Sequence, residues 1–265
     1  MTTLPTFTSL LVTADGPYRI VTLNRPERMN ALSRTLLQEI GDAFRGLAND
    51  RDARVIIMTG AGEKAFCAGA DLKERQGMSE NDVRALLGLY RRSFDAIDRC
   101  PKPVVAAING VALGGGFEVA LACDLRVAAK SALVGLPETS LAIIPGAGGT
   151  QRLSRLVGPG KAKELILLAK RLEAGDALKA GLVTAVADEG ESAIDAAKKL
   201  TASLANGAPI AYAAAMDAID LGFERDFESG LDLEHLCYER TLVSSDRREA
   251  LAAFGEKRKP VYKGE

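Results

Sequence analysis

Histidine is almost absent from this sequence, since His235 is the only one among 265 residues. A Ser-His-Asp or Cys-His catalytic system needs an imidazole, and multi-histidine metal sites need several. His235 lies in a leucine-rich stretch typical of a helix, where packing or surface exposure is its expected role. A nucleophilic triad is therefore disfavoured unless His235 carries it, and we expect no metal site.

Paired cysteines and an excess of one charge are also lacking. The four cysteines have no CxxC spacing, so they indicate neither a zinc ribbon nor a redox pair; they are Cys67, Cys100, Cys123 and Cys237. Lysine and arginine total 34 against 35 aspartates and glutamates, which gives a net charge of −1. No net field attracts the chain to nucleic acid or to an anionic membrane, and we expect neither as a partner.

Segments that would direct the chain to a membrane are not evident. The uncharged run Pro103–Phe117 has 15 residues and four glycines, too short and too rich in glycine for the ~20-residue apolar helix that spans a bilayer. The first 20 residues show no basic start followed by an apolar block, so no signal peptide is predicted. We therefore expect a cytoplasmic protein.

The elements that can be predicted alternate between strand and helix. Short apolar runs at Arg54–Thr59 and Pro103–Ile108 are typical of buried strands. Apolar residues recur at helical spacing after Ser33, which is placed as an N-cap, and after Ser79, which forms a capping-box pattern with Asp82. This alternation predicts an α/β fold.

The pattern changes near Glu189, beyond which it is helical throughout. Helices are predicted from Ser192 to Phe254, with breaks near Asn206–Pro209 and Leu221–Gly222. We therefore divide the chain into an α/β body, residues 1–190, and a helical C-terminal region, residues 191–265.

Charge is unevenly distributed along the chain. From Pro103 to Gln151 there are only five charged side chains, whereas the chain-wide 26% corresponds to about 13; they are Glu118, Asp124, Arg126, Lys130 and Glu138. A carboxylate in so apolar a tract either has a fixed partner or has its pKa raised by desolvation, which is how general acids and bases are tuned. Glu118 and Glu138 are therefore candidates for acid–base chemistry. The alternative is that both are acids at helix N-termini.

Glycine-rich loops accompany these acids. Gly114–Gly116 lacks the Lys-Ser/Thr pair of a P-loop, but it precedes a predicted helix whose N-terminal N–H groups favour negative charge. The alternative is a tight turn under close packing. Gly60–Ala65 fits a loose dinucleotide-binding pattern, yet no helical periodicity follows it, so a Rossmann site is disfavoured.

Four motifs together resemble the crotonase (enoyl-CoA hydratase/isomerase) superfamily, in its order and spacing. They are Asn24-Arg25-Pro26-Glu27-Arg28-Met29-Asn30-Ala31-Leu32, Phe66-Cys67-Ala68-Gly69-Ala70-Asp71-Leu72, Ala112-Leu113-Gly114-Gly115-Gly116-Phe117-Glu118, and Pro137-Glu138 through Ile144-Pro145-Gly146-Ala147-Gly148-Gly149-Thr150-Gln151-Arg152-Leu153. Within that superfamily, Lys73-Glu74-Arg75 and the ending from Phe254 to Gly264 look most like methylglutaconyl-CoA hydratases.

The resemblance implies a fold and an assembly. It implies a spiral of ββα repeats with an all-helical C-terminal region that builds trimers, usually paired into hexamers. The expected partner of the chain is therefore another copy of itself.

The resemblance also implies a site. The backbone N–H groups of Ala68 and Gly115 are expected to form an oxyanion hole, Glu118 to activate water, and Glu138 to protonate C2 of the substrate. No permanent cofactor is implied, because coenzyme A enters as part of the substrate. The implied coenzyme A contacts are Arg28, the backbone of Ala65, Ala68, Gly69, Ala70, Asp71, Leu72 and Gly115, and, from a neighbouring subunit, Phe254 and Lys257.

The implied activity is reversible hydration of a short or branched enoyl-CoA, with 3-methylglutaconyl-CoA as a candidate substrate, in fatty-acid or branched-chain amino-acid catabolism. A double-bond isomerase is the alternative enzyme. Some methylglutaconyl-CoA hydratases bind RNA through lysines on the first long helix, where this chain has Arg34, Gln38 and Asp42. RNA binding is therefore disfavoured.

Overall fold

The computed structural model describes residues 5–265 and begins with a β-hairpin. Strand β1 (Leu10–Asp15) pairs antiparallel with β2 (Tyr18–Leu23), and a turn at Gly16-Pro17 joins them. Asp15 faces Tyr18 across this two-residue turn. Gly16 has a φ of +55°, a left-handed conformation that glycine adopts without strain.

The body of the molecule is a spiral in which two strands and a helix repeat. After α1 (Arg34–Leu47), the repeats are β3 (Val55–Gly60), β4 (Ala65–Cys67), α2 (Leu72–Arg75) and α3 (Glu80–Asp98); β5 (Val104–Ile108), β6 (Val111–Leu113) and α4 (Gly115–Leu121); and β7 (Leu125–Ala128), β8 (Leu133–Gly135) and α5 (Gly149–Leu167). Then follow β9 (Arg171–Glu173), α6 (Ala174–Lys179) and β10 (Ala185–Val186).

The first strand of each repeat joins one sheet and the second strand joins another. The six-stranded sheet has the order β1-β2-β3-β5-β7-β10, and the four-stranded sheet has the order β4-β6-β8-β9. Strands β2, β3, β5 and β7 pair in parallel, as do β4, β6 and β8. The predicted α/β spiral of ββα repeats is confirmed. Strand β6 lies between Gly110 and Gly114 and is only three residues long.

Buried strands and capped helices follow the sequence pattern. Every residue of β3 and of β5 is buried, as expected of parallel strands covered on both faces. Ser33 Oγ accepts the Leu36 N–H at the start of α1, and Ser79 with Asp82 forms the predicted capping box of α3. These two helices pack together with their apolar faces in the main core.

Beyond residue 192 every regular element is a helix. These helices are α7 (Ala193–Leu200), α8 (Ala202–Ala205), α9 (Pro209–Phe223), α10 (Phe227–Leu242) and α11 (Ser245–Gly255). The break predicted at Asn206–Pro209 is confirmed, and the one predicted near Leu221–Gly222 falls at residues 224–226, between the end of α9 at Phe223 and the start of α10 at Phe227. Gly222 lies beside Gly230 of α10, where a Cβ on Gly222 would make an ordinary van der Waals contact at 3.9 Å.

Candidate active site

Helix α4 carries the first candidate acid and begins in a glycine turn. Gly114 is its N-cap, with a φ of +53° that favours glycine, and its carbonyl accepts the N–H of Glu118 at 2.9 Å. Gly115 is the first residue of the helix. Its N–H has no hydrogen-bond acceptor among residues 5–265. The turn therefore presents a free amide at the positive end of a helix.

Glu118 is held by the loop that precedes α5. Its Oε1 accepts the N–H of Ala147 at 2.8 Å and the N–H of Gly149 at 2.7 Å. Only 3% of the residue is exposed. Burial raises the pKa of Glu118, while the Gly149 and Ala147 N–H groups and the charge of Arg152 act in the opposite direction. One oxygen of the carboxylate is therefore fixed, which sets the direction of the other.

Glu138 has a different environment. It begins a 3-10 turn, Glu138–Leu141, which follows β8 after Leu136 and Pro137. Its Oε2 is buried and has no hydrogen-bond partner among residues 5–265. Burial, with the nearby charge of Glu118, raises the pKa of Glu138 to about 7. Near neutral pH this carboxyl group is therefore partly protonated and able to give a proton.

The structure brings the two candidate acids to the same glycine turn. A Cβ on Gly114 would lie 2.9 Å from Glu138 Oε1, while the Gly114 carbonyl bonds Glu118. On the opposite side, a Cβ on Gly149 would lie 2.8 Å from Glu118 Oε1. Two carboxyl groups with unlike surroundings are thus adjacent, an arrangement typical of an acid–base pair.

The prediction that Ala68 supplies an oxyanion-hole N–H is wrong. The Ala68 N–H donates to Met29 O at 3.0 Å, so its hydrogen is already bound within the protein. Met29 has a φ of +51° and closes the 3-10 turn Pro26–Arg28. The bond fastens this turn to the loop after β4 and has a structural role.

The free amide lies two residues further on, at Ala70. Leu32 N–H donates to Gly69 O at 2.8 Å, and Asp71 N–H donates to Leu32 O at 3.1 Å. In this parallel bridge the N–H of Ala70 points away from Leu32, and it has no acceptor among residues 5–265. A Cβ on Gly115 would lie 3.7 Å from Ala70 N. The two unpaired amides, of Ala70 and Gly115, are therefore neighbours.

Side-chain hydrogen bonds and an ion pair hold the segment Ala65 to Leu72, which is predicted to contact coenzyme A, in place. Asn30 is fully buried and donates to Ala61 O at 3.0 Å and to Ala65 O at 2.9 Å. Asp71 caps α2 through the N–H groups of Lys73 and Glu74. It also pairs with Arg25 at 2.9 Å. Because the Asp71 carboxylate is already bonded within the protein, the predicted contact of Asp71 with coenzyme A would be made by its backbone.

The remaining predicted contacts lie on the surface. Arg28 is exposed in the 3-10 turn, and Leu72 is 62% exposed. Phe254 is 87% exposed near the end of α11, and Lys257 follows that helix. Within residues 5–265, no hydrogen bond or ion pair joins Phe254 or Lys257 to the loops around Glu118. Their predicted contact with coenzyme A stays a prediction.

Tyr90 is a site residue that the sequence did not identify. In the sequence it is one of the apolar residues that follow Ser79 at helical spacing, and it is only 5% exposed. Its ring also reaches the glycine turn, where a Cβ on Gly115 would lie 3.5 Å from Tyr90 Cε1 and 3.2 Å from Leu32 Cδ1. Both side chains therefore form walls beside the free amide of Gly115.

The single histidine of the sequence lies outside this region. The side chain of His235 is 76% exposed, with Nε2 3.7 Å from Glu239 Oε1, so it lies on the surface as expected. No cluster of three or more His, Cys, Asp or Glu that could bind a metal occurs in the described part of the chain. None of the helices between residues 5 and 265 has the length and apolar character needed to cross a bilayer.

Known proteins share this sequence and structure. A family model described as enoyl-CoA hydratase/isomerase matches residues 18–265. The mitochondrial methylglutaconyl-CoA hydratase of Mus musculus is 45% identical over 93% of this chain and 79% of its own length. The enoyl-CoA isomerase/hydratase fer4 of Mycosarcoma maydis is 44% identical over 94% and 93%. A crystal structure of enoyl-CoA hydratase from Bacillus anthracis superimposes with a TM-score of 0.94 at 47% identity, covering 97% of this chain and 100% of that one.

Proposed function

The chain belongs to the enoyl-CoA hydratase/isomerase family, whose enzymes act on coenzyme A thioesters, and we propose that it is a hydratase. It adds water reversibly across the 2,3 double bond of a short or branched enoyl-CoA. The observation that carries this proposal is the pair of buried acids, Glu118 and Glu138, beside one glycine turn.

The thioester carbonyl binds between the N–H groups of Ala70 and Gly115. Addition of a nucleophile to C3 moves electron density onto the carbonyl oxygen, which becomes an enolate. Two unpaired amides and the positive end of α4 stabilise that charge without reorganising during the reaction. In other enzymes, removal of one such donor costs about 2.7–4 kcal/mol of transition-state stabilisation.

Each of the two carboxyl groups makes one of the proton transfers of the reaction. Glu118, its Oε1 fixed by two N–H groups, accepts a proton from water through its other oxygen while the water oxygen bonds to C3. Glu138, with a pKa raised to about 7, then donates its proton to C2 and the enolate collapses to the thioester. A proton returned from Glu118 to Glu138 through the next water restores both groups.

Isomerisation of the double bond is the second candidate. One glutamate that shuttles a proton between C2 and C4 would suffice for it, and the fer4 relative carries both activities in its name. Hydration is favoured because two carboxyl groups flank the site. One of them can accept a proton from water while the other gives a proton to C2. Product analysis with a 3-enoyl-CoA distinguishes the two, because an isomerase gives the 2-enoyl-CoA without a 3-hydroxyacyl product.

We further propose 3-methylglutaconyl-CoA as a substrate, by similarity to the mouse relative. The distal carboxylate of 3-methylglutaconyl-CoA needs a basic partner, and we propose that a residue in the segment Lys73 to Arg91 provides it. Within it Arg84 pairs with Glu80, and Arg91 is paired with Asp95. Lys73 and Arg75 form no ion pair within the described residues, and Arg75 is partly buried, so these two are the preferred candidates.

We also propose that the chain self-associates through the helical region, residues 191–265. Its helices expose large apolar side chains: Phe223 is 68%, Phe227 78% and Phe254 87% exposed. Exposed apolar patches of this kind mark interfaces. We propose a trimer, alone or paired, in which Phe254 and Lys257 reach the coenzyme A of a neighbouring subunit. Sedimentation at several protein concentrations tests the assembly.

The experiment that tests the function compares crotonyl-CoA, 3-methylglutaconyl-CoA and a 3-enoyl-CoA with the same enzyme preparation. A 3-hydroxyacyl-CoA product from either 2-enoyl-CoA supports hydration, and isomerised product without hydration contradicts it. Neutralising Lys73 and Arg75 in turn is expected to reduce kcat/KM for methylglutaconyl-CoA but not for crotonyl-CoA. An unchanged preference between the two thioesters would remove both residues from substrate recognition.

A further inference from the structure

Arg152 connects the loop that holds Glu118 to the rest of the protein. It lies one turn into α5, where its backbone N–H donates to Gly148 O at 2.8 Å. Its Nη1 donates to Ala147 O at 3.1 Å. The N–H of the same Ala147 donates to Glu118 Oε1 at 2.8 Å. A single residue of backbone therefore separates this guanidinium from the carboxylate that activates water.

The other edge of the guanidinium is anchored on α3. Arg152 Nη2 lies 3.3 Å from Asp98 Oδ2, and Nε lies 3.5 Å from Asp98 Oδ1. Asp95 Oδ1 is 3.8 Å from Nη2. The Arg152 side chain is only 19% exposed. A planar group held along two edges has a fixed direction, which a flexible ammonium group cannot reproduce.

The loop is shaped to admit this side chain. A Cβ on Gly148 would lie 2.2 Å from Arg152 Nη1, and Gly148 has a φ of +103°. The backbone conformation favours glycine at this position, and a Cβ there would displace the guanidinium from the place it occupies. The loop conformation and the arginine depend on each other.

We propose that Arg152 is a positioning residue for Glu118. By binding the Ala147 carbonyl, it holds that residue in the orientation in which its N–H meets the carboxylate. The inference rests on the proposed function, in which Glu118 activates water. Without the guanidinium the Ala147 backbone is free to rotate, one of the two donors to Glu118 weakens, and the carboxylate loses its fixed direction.

The positive charge of Arg152 has a second effect at the same site. It opposes the rise in the pKa of Glu118 that burial causes. The other titratable or charged groups that face this pair are Glu138 from the 3-10 turn, Tyr90, Asp95 and Asp98 from α3, and Cys123 after α4. Removal of Arg152 should therefore raise the pKa of Glu118 and move the low-pH limb of the kcat profile to higher pH.

The test compares Arg152→Met and Arg152→Lys with a control on the same helix, Arg155→Met. Arg155 lies one turn beyond Arg152 on α5 and pairs on the surface with Glu224 at 2.5 Å. We expect Arg152→Met to lower kcat for crotonyl-CoA about 10- to 100-fold, with KM within about twofold. Arg152→Lys should recover part of the loss because it restores the charge, and Arg155→Met should match the wild type.

A second readout does not depend on turnover. Carbon-13 NMR of labelled glutamates, with Glu118 assigned by Glu118→Gln, should show a higher pKa for Glu118 in Arg152→Met. If the wild-type enzyme hydrates no enoyl-CoA, the proposed function fails and this titration alone decides the role of Arg152. A folded Arg152→Met with wild-type kcat and an unchanged Glu118 titration would overturn the inference.

Asp98→Asn is a second variant that tests the same inference if Arg152→Met does not fold. This change weakens the anchor of Arg152 on α3 and leaves the loop itself untouched. A smaller loss of kcat at constant KM is expected. Wild-type kcat in a folded Asp98→Asn, together with an unfolded Arg152→Met, would assign Arg152 a role in stability alone and would also overturn the inference.

Discussion

Glu138 lies directly against Gly114, since a methyl group on Gly114 would come within 2.9 Å of Glu138 Oε1. The same glycine caps α4 with a φ of +53°. Gly114→Ala should therefore displace the acid and strain the turn that presents the Gly115 N–H. We expect kcat for hydration to fall about 100-fold or more, measured with crotonyl-CoA. Gly160→Ala is the matched control because no atom lies within 4 Å of its Cβ position. Equal losses in the two variants would contradict the assignment.

The raised pKa of Glu138 also predicts a change in stability with pH. Burial and the charge of Glu118 raise this pKa from 4.5 to about 7, so the folded protein binds the proton more tightly than the unfolded chain. This contribution to stability is present below pH ~4.5 and is lost as the pH rises through ~7. Glu138→Gln should therefore increase the free energy of unfolding at pH 8, by up to ~3 kcal/mol, and hardly at pH 4.

Urea unfolding at the two pH values measures this difference. Glu63→Gln serves as the control, since Glu63 is exposed in the loop between β3 and β4; its effect should stay within about 0.5 kcal/mol at both pH values. A Glu138→Gln variant that is no more stable than the wild type at pH 8 would show that Glu138 is not held in the protonated form by burial.

The backbone amides can be tested by exchanging a single peptide bond for an ester. Replacing Ala70 by lactic acid removes its N–H and keeps the methyl group. The kcat/KM for crotonyl-CoA should fall about 100- to 1,000-fold, as for loss of one oxyanion donor. The same replacement at Ala68 removes the hydrogen bond to Met29 O; it should lower stability by about 1 kcal/mol and leave the rate near wild type. The reverse order of effects would restore Ala68 as the donor.

The sequence predicted much of the fold because its signals are local. Ser33 and the pair Ser79 and Asp82 carry their capping function in their spacing, and the structure confirms both. Strand β6, Val111–Leu113, was missed because it is three residues long between glycines and is stabilised by its pairing with β4 and β8. Such pairing depends on distant residues and leaves little local pattern.

Part of the candidate site was predictable because its signals in the sequence are also local. Glu118 and Glu138 stand out as isolated charges in an apolar tract, and the three glycines just before Glu118 indicate a special turn. The direction of an amide is not visible in sequence, so the resemblance assigned the oxyanion-hole donor to Ala68, whose N–H is bonded to Met29 O in the structure. Arg152 stands in the fourth motif, but no role was predicted for it, because its contact with Asp98 joins it to another helix 54 positions earlier in the chain.

The central claim is that Glu118 and Glu138 together add water to an enoyl-CoA. The most direct measurement is the hydration of crotonyl-CoA in ¹⁸O-labelled water by the wild type, Glu118→Gln and Glu138→Gln, with the 3-hydroxyacyl product followed by mass spectrometry. We expect one ¹⁸O in the wild-type product and a rate at least about 100-fold lower in each variant, since general acid and base catalysis contribute about 10²–10⁴-fold. Wild-type rates in either folded variant, or no labelled product from the wild type, would contradict the claim.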